Sequence, residues 1–285
     1  MRKKDNTSAA VQTRRTACYI VLVFITIICL FWFYILFVNA TRSHAELAKG
    51  FTLLPSGALV KNLKSSVNGT SHIMQGLVNS LLIAVSSTVL CVYFSTMTAY
   101  AIHAYNFKFK KFAFTLILAI MMIPTQVTAL GFISMLRKVG LMGSFIPLII
   151  PAIASPITVF YLKQYMESSL PLELLEAARI DGASELRTFN TIALPLMRPA
   201  IAVQAIFSFV ASWNNYFTPG LVLAGQKSKK TLPIIIADLR AADFSKFDMG
   251  AVYMTIALSI FPVIVVYVIL AKNIVEGLTV GAVKG

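Results

Sequence analysis

The feature that most constrains this chain is a series of long stretches without any charge. Residues 17–38 contain no Asp, Glu, Lys or Arg. A helix needs about 20 apolar residues to cross the hydrocarbon layer of a bilayer, so this run is long enough to span. Five more uncharged segments follow, at 74–102, 112–136, 144–162, 200–223 and 249–271. No water is available inside a bilayer, so a spanning segment must satisfy its own backbone hydrogen bonds, and a helix does so. The sequence therefore predicts an all-α membrane protein with six transmembrane helices and a single transmembrane domain over 17–271. The low charge agrees, since only 13% of residues are charged against about 25% in soluble domains.

The net charge of +14 would suggest nucleic acid in a soluble protein. Here Lys and Arg are spread among the loops, with no basic stripe between exposed aromatics. Membrane lipid is the expected partner, and nucleic acid is not. Residues 1–16 carry Arg2, Lys3, Lys4, Arg14 and Arg15. The apolar run after them exceeds the roughly 7–15 residues of a cleavable signal. It reads as an uncleaved first span behind a cytoplasmic N-terminus. Six spans then place the loops at 103–111 and 163–199 inside, together with the tail at 272–285. Positive charge favours the inside only weakly, because the external loop before the sixth span holds Lys227, Lys229, Lys230, Arg240 and Lys246. Cys18, Cys29 and Cys91 lie within apolar runs and read as packing residues.

Residues 168–199, SSLPLELLEAARIDGASELRTFNTIALPLMRP, form a polar-rich interval that also reads as helix. Ser169 and Pro171 suit a helix start. Asp181-Gly182 suits a stop, because glycine accepts the left-handed conformation that ends helices. Ser184 and Glu185 restart a helix, and Pro195 and Pro199 end it. The product is a helix–glycine–helix elbow. Its first helix is apolar nearly all round, through Leu172, Leu174, Leu175, Ala177, Ala178 and Ile180, so it needs something to bury against. Glu176 and Asp181 are candidates for polar contacts, and Gly182 for the pivot.

Glu176-Ala177-Ala178, then Asp181-Gly182-Ala183, then Ile192-Ala193-Leu194-Pro195 resemble the EAA loop of ATP-binding-cassette (ABC) importer permeases. The resemblance implies the type I importer permease fold, with a cytoplasmic coupling helix that fits a cleft on an ATPase subunit. Asn79-Ser80, the Trp213-Asn214 region with Pro219, and the ending from Gly277 to Gly285 are similar to the smaller permease of maltose- and multiple-sugar-type carbohydrate importers. That likeness implies a bacterial or archaeal cytoplasmic membrane, a heterodimeric pore with a second permease, two ATPase subunits, an extracellular solute-binding protein and a sugar substrate. It also implies that the tail, with Gly281, Ala282, Val283, Lys284 and Gly285, reaches toward the ATPase pair. The tail's own composition suggests an extended, close-fitting segment.

Uncharged spans disfavour an ion-coupled carrier, which places ionisable groups near the membrane centre. Energy must then come from elsewhere. The chain has no G-x-x-x-x-G-K-[ST] phosphate loop, so ATP and Mg are expected on partner subunits and no cofactor on this chain. His44, His72 and His103 lack metal spacing, and no G-x-S-x-G elbow is present. Neither an enzyme nor a metal site is expected. Ser212, Trp213, Asn214, Asn215 and Tyr216 read two ways. They could line a path for a polar, uncharged solute, or bond to a helix of the second permease. Two alternatives stay open: an importer of another solute, such as glycerol phosphate or a peptide, and a non-transporting scaffold for an ATPase.

Overall fold

A computed structural model describes residues 3–68, 72–241 and 248–282. All regular structure among them is helical. Four stretches are long and apolar enough to cross a membrane: Val11–Ala40, Ile73–Ala104, Ile146–Ser169 and Met249–Asn273. Two more are bent pairs, Lys110–Met121 with Thr125–Lys138 at 98°, and Glu185–Leu196 with Arg198–Trp213 at 81°; counted as single spans they bring the number to six.

The chain divides into two compact units. The first comprises residues 1–71 and 239–258. It holds α1 (Lys3–Ala40), α2 (His44–Ala48) and α3 (Leu59–Asn68). The segment after α1, residues 39–72, whose Gly, Ser and Asn clusters read as an external loop, contains built structure. Ser43 and Glu46 form a capping box at the start of α2. Glu46 also accepts from Ser56 Oγ at 2.6 Å. The Ser56 and Ser43 hydrogen bonds, with Arg42 nearby, pull the Glu46 pKa down to about 2. Asn62 is fully buried and donates from Nδ2 to the Ala40 and Arg42 carbonyls at 2.8 and 2.9 Å. The Ala40 carbonyl is one that the end of α1 leaves free.

The second unit comprises residues 72–238 and 259–285. Its elements are α4 (Ile73–Ala104), α5 (Lys110–Met121), α6 (Thr125–Lys138), α7 (Ile146–Ile149), α8 (Pro156–Ser169), α9 (Leu172–Ile180), α10 (Glu185–Thr188), α11 (Leu194–Leu196), α12 (Arg198–Trp213), α13 (Phe217–Val222) and α14 (Leu232–Ala241), whose last residues fall in the first unit. A final helix, α15 (Met249–Ala282), begins in the first unit and ends in the second. Helix α4 is central, packing on α8 and α12. Most of its buried residues are small, among them Ala84, Ser87, Thr88, Ser95, Thr96 and Ala99, which let helices approach closely in lipid. Asn79 and Ser80 face protein. Asn79 Nδ2 donates to the Ser228 and Lys230 carbonyls, both at 3.0 Å, and Ser80 Oγ accepts from the Leu232 N–H at 2.8 Å.

Several boundaries differ from the sequence reading. The third span, expected whole over 112–136, is broken at Pro124, which is extended (ψ 131) ahead of α6. A proline disfavours helix in the residue before it and cannot donate to the turn above. The fifth span ends at Trp213 rather than Leu223, because residues 214–216 leave the helix before α13. The external loop before the sixth span contains α14. The tail is helical rather than extended as far as Ala282; Gly281 and Ala282 close α15, while Val283, Lys284 and Gly285 lie outside the described residues.

The Asn62→Ala variant leaves two carbonyls without their donor. Unmet buried groups of this kind cost about 1–3 kcal/mol each at most, so a lower thermal midpoint and faster proteolysis between residues 41 and 68 are expected. Acid acts on the same segment through Glu46. A depressed folded-state pKa contributes stability above the ordinary carboxylate range and loses it as pH falls toward about 2. Amide exchange at residues 43–56 should quicken over that window, and Glu46→Gln should remove the pH dependence.

Candidate functional site

The elbow forms as a helix–glycine–helix unit with a defined stop. Gly182 has φ +77. The Ala183 N–H donates to the Ala178 carbonyl and the Gly182 N–H to the Arg179 carbonyl, both at 3.0 Å. That pair of bonds is the Schellman arrangement, which satisfies the last carbonyls of a helix. A Cβ on Gly182 would meet nothing within 4 Å. Only its backbone conformation demands glycine.

Other local details depart from expectation. Ser169 closes α8, and Pro171, without a side-chain bond, precedes α9. Pro195 and Pro199 do not stop a helix: each lies in a first turn, of α11 and α12, and a π-helical turn at Phe189–Ala193 carries the chain between α10 and α11.

One face of the elbow plugs into α4 and α8. Leu175, Phe189, Ala193 and Met197 are buried with Ala99, Tyr100, Ile102, Leu162 and Met166. Phe189 sits between two tyrosines, with ring centroids 5.7 Å from Tyr93 and 5.4 Å from Tyr100. A polar joint lies beside this plug. Glu185 accepts from Arg179 Nε at 2.8 Å, from Tyr100 Oη at 3.3 Å, and from Tyr105 Oη. The Arg179 guanidinium also stacks over the Tyr105 ring at 5.3 Å. Arg179, and next Tyr105, hold the Glu185 carboxyl below its usual pKa. Burial, then the Glu185 bond, raises the Tyr105 phenol. His103 Nε2 and the Leu170 carbonyl are 2.9 Å apart, a contact that ties the α8–α9 corner to the end of α4.

The opposite face is unpartnered. Leu172 and Leu174 are each 45% exposed, Leu186 66% and Ile180 86%. The expected all-round apolar helix is thus two-sided: Leu175 and Ala178 face inward, while Ala177 lies on the exposed side. Glu176, Asp181 and Gly182 are exposed and Ala183 half-buried. The Glu176 and Asp181 side chains make no hydrogen bond or ion pair among the described residues, so both are free to meet another protein. Tyr105 and Phe189 carry no local signal in the sequence, because their partners lie far away along the chain, whereas Arg179 and Glu185 stand only six positions apart.

A second feature lies within the span region of the same unit. A groove of about 550 Å³ is bordered by Ser87, Thr125, Thr128, Ser155, Ser208 and Asn215, among others, with apolar walls from Ile83, Phe132 and Leu148. Among the described residues, no Asp, Glu, Lys, Arg or His lines it. Three helix interruptions meet there: the Pro124 break ahead of Thr125, the gap at Ala154–Ser155, and the gap at 214–216. Of the polar run singled out from the sequence, Ser212 and Asn215 line the groove, and Ser212 Oγ accepts from Ser87 Oγ at 3.0 Å. Asn215 Oδ1 accepts from the Thr218 N–H at 3.2 Å, leaving its amide nitrogen for other contacts. Trp213 is buried and stacked on Phe209 at 5.7 Å, while Asn214 and Tyr216 are exposed away from the groove.

The family described as "Binding-protein-dependent transport system inner membrane component" matches residues 91–280. The permease protein of the arabinooligosaccharides transport system of Bacillus subtilis (strain 168) is 33% identical over 277 residues, covering 95% of this chain and 96% of the relative. The permease protein of the galactooligosaccharides transport system of the same organism is 35% identical over 221 residues, covering 74% and 75%. Among solved structures, a bacterial ABC transporter involved in the import of the acidic polysaccharide alginate has a chain that superimposes with a TM-score of 0.77 at 21% identity, over 95% of this chain and 98% of that one.

Glu185→Gln removes the charge that holds Arg179 and should loosen the joint between α9 and α10, seen as faster amide exchange at 178–190 with the membrane helices unchanged. Because the Glu185 pKa is lowered, the wild-type joint is intact above the ordinary carboxylate range and weakens as pH falls below it; the variant should lack that transition.

Proposed function

The chain belongs to the family of binding-protein-dependent transport system inner membrane components, and from that premise we propose that it is one permease subunit of an ABC importer for a sugar or oligosaccharide. It forms half of the translocation path and couples to cytoplasmic ATPase subunits through the elbow at 168–199. Its termini face the cytoplasm, a second permease completes the pore, two ATPase subunits supply ATP and Mg, and an external binding protein delivers solute. The permease itself performs no chemistry and holds no cofactor.

The observation that supports this reading most is the two-sidedness of the elbow. Its buried side is fixed to α4 and α8, and its outer side offers Leu172, Leu174, Ile180 and Leu186. Exposed apolar residues grouped in this way mark a protein contact. Glu176 and Asp181 flank them as polar contacts, and Ala177 and Ala183 keep the surface low. Gly182 sets the angle between the halves. A docking subunit that moves would carry the plugged helices with it, because the elbow's inner side chains are buried against α4 and α8.

The sugar reading is supported by the named relatives and by the groove. Hydroxyls and one amide in an uncharged wall suit a neutral, hydroxyl-rich solute. Ser212 and Asn215 are assigned to this path; Trp213 is assigned to packing behind it. The helical end at Gly281 and Ala282 is assigned, with Val283, Lys284 and Gly285, to the cytoplasmic side near the ATPases.

Ile180→Asp should abolish solute-stimulated ATP hydrolysis in the reconstituted assembly while membrane insertion stays normal. Gly182→Val forces a branched side chain into a left-handed backbone, at a cost of about 1–2 kcal/mol, and should reduce ATPase recruitment and uptake together. Full stimulated hydrolysis in both variants would sink the coupling role. Uptake of an oligosaccharide set against glycerol phosphate and a peptide identifies the solute class, and uptake driven by an ion gradient without ATP would point to a different kind of transporter.

A further inference from the structure

Helix α3 is oriented against the usual rule for surface helices. At 100° per residue, Asn62 and Ser66 share one stripe, and Leu59, Val60, Leu63 and Val67 fall within about 100° of one another beside it. The polar stripe faces the protein. Asn62 and Ser66 are both fully buried, Ser66 Oγ donates to the Ala251 carbonyl at 2.9 Å, and Thr255 Oγ1 approaches Ser66 Oγ at 3.4 Å. The apolar stripe faces out, with Leu59 49%, Val60 60%, Leu63 40% and Val67 39% exposed. The orientation is locked, since a Cβ on Gly250 would stand 2.5 Å from the Arg42 carbonyl oxygen and 2.7 Å from the Asn62 amide. The helix cannot turn its apolar stripe inward without giving up these bonds.

We infer that α3 and the segment before it lie on the outer interface of the bilayer, with the apolar stripe in the acyl boundary. Continuity with the lipid-facing surface of α1 supports lipid as the occupant. Only 6% of the most apolar window of that span is buried. Its uncharged run of 22 residues rises about 33 Å, which brings residue 38 near the edge of a hydrocarbon layer about 30 Å thick. Tyr34 lies one turn below that edge, where tyrosine is favoured, and its hydroxyl donates to the Leu53 carbonyl at 2.6 Å. That bond sets Phe51, Leu53 and Leu54, which are 69%, 47% and 74% exposed, beside the exposed flank of α1 at membrane depth. Charge agrees as well. Lys61 and Lys64 follow the apolar stripe around the helix and are exposed, where long stems reach lipid phosphates while their bases rest on apolar surface.

The test places a photoreactive benzophenone amino acid at Leu63, and separately at Val67, in the full chain within its native membrane. After irradiation, the peptide containing the probe should gain the mass of one phospholipid at both positions. A crosslink to another polypeptide at these positions, whether a second permease, a binding protein or a second copy, overturns the inference. So does complete photolysis with no adduct, which would mean that the stripe faces water. Both positions are exposed, so the variants should fold, and retained uptake confirms it. The result does not depend on which solute is carried.

Discussion

The elbow hangs from Phe189. Burying a phenylalanine is worth about 1.5–3 kcal/mol, and contacts with two tyrosine rings add about 0.5–1.5 kcal/mol. No other side chain of the elbow combines this volume with full burial at the ends of α4 and α8. Leu175 and Met197 are buried in the same cluster as Phe189, and the Glu185 carboxylate is within reach of Tyr100 and Tyr105. The polar joint is then a consequence of the apolar one. Its partly exposed ion pair adds little on its own, but its geometry fixes the angle at which α9 leaves the membrane helices.

That angle matters because a coupling element must resist bending. A loop held by one attachment would pivot under load and dissipate the push. Here the attachments are distributed. The plug holds the middle, His103 and the Leu170 carbonyl hold the entry, and the Schellman bonds hold the turn. The exposed apolar residues sit between these fixed points rather than beyond them.

Much of this was readable from residues alone, and the parts that were not share a cause. The uncharged runs announce membrane helices because charge in lipid is costly over every residue of a span. Gly182 announces a helix stop because only one backbone geometry suits it. The partners of Glu185 were hidden, since Tyr100 lies 85 positions away and no local pattern marks such a pairing. The prolines were ambiguous for a related reason. Pro262 stays inside α15, yet Pro124 breaks its helix. The same ring bends or severs a helix according to what its neighbours offer the freed backbone groups. Helix α3 is hidden in a polar stretch whose Gly, Ser and Asn clusters read as an external loop, and its apolar residues do not point at the core, the assumption on which periodicity arguments rest.

The broken helices bear on the proposed path. Irregular backbone at membrane depth is tolerated when it is enclosed by protein or lines a watered cavity. Three interruptions along the chain, ahead of Thr125, at Ser155 and at Asn215, come to one groove. Were they only packing defects, nothing would bring them to the same place. Among the described residues the groove walls supply hydroxyls and an amide but no charge. A permanent charge there would hold counter-ions or water tightly and resist release of a neutral solute. Neutral polar walls bind each hydroxyl weakly and at many points, the balance that conduction through a pore demands.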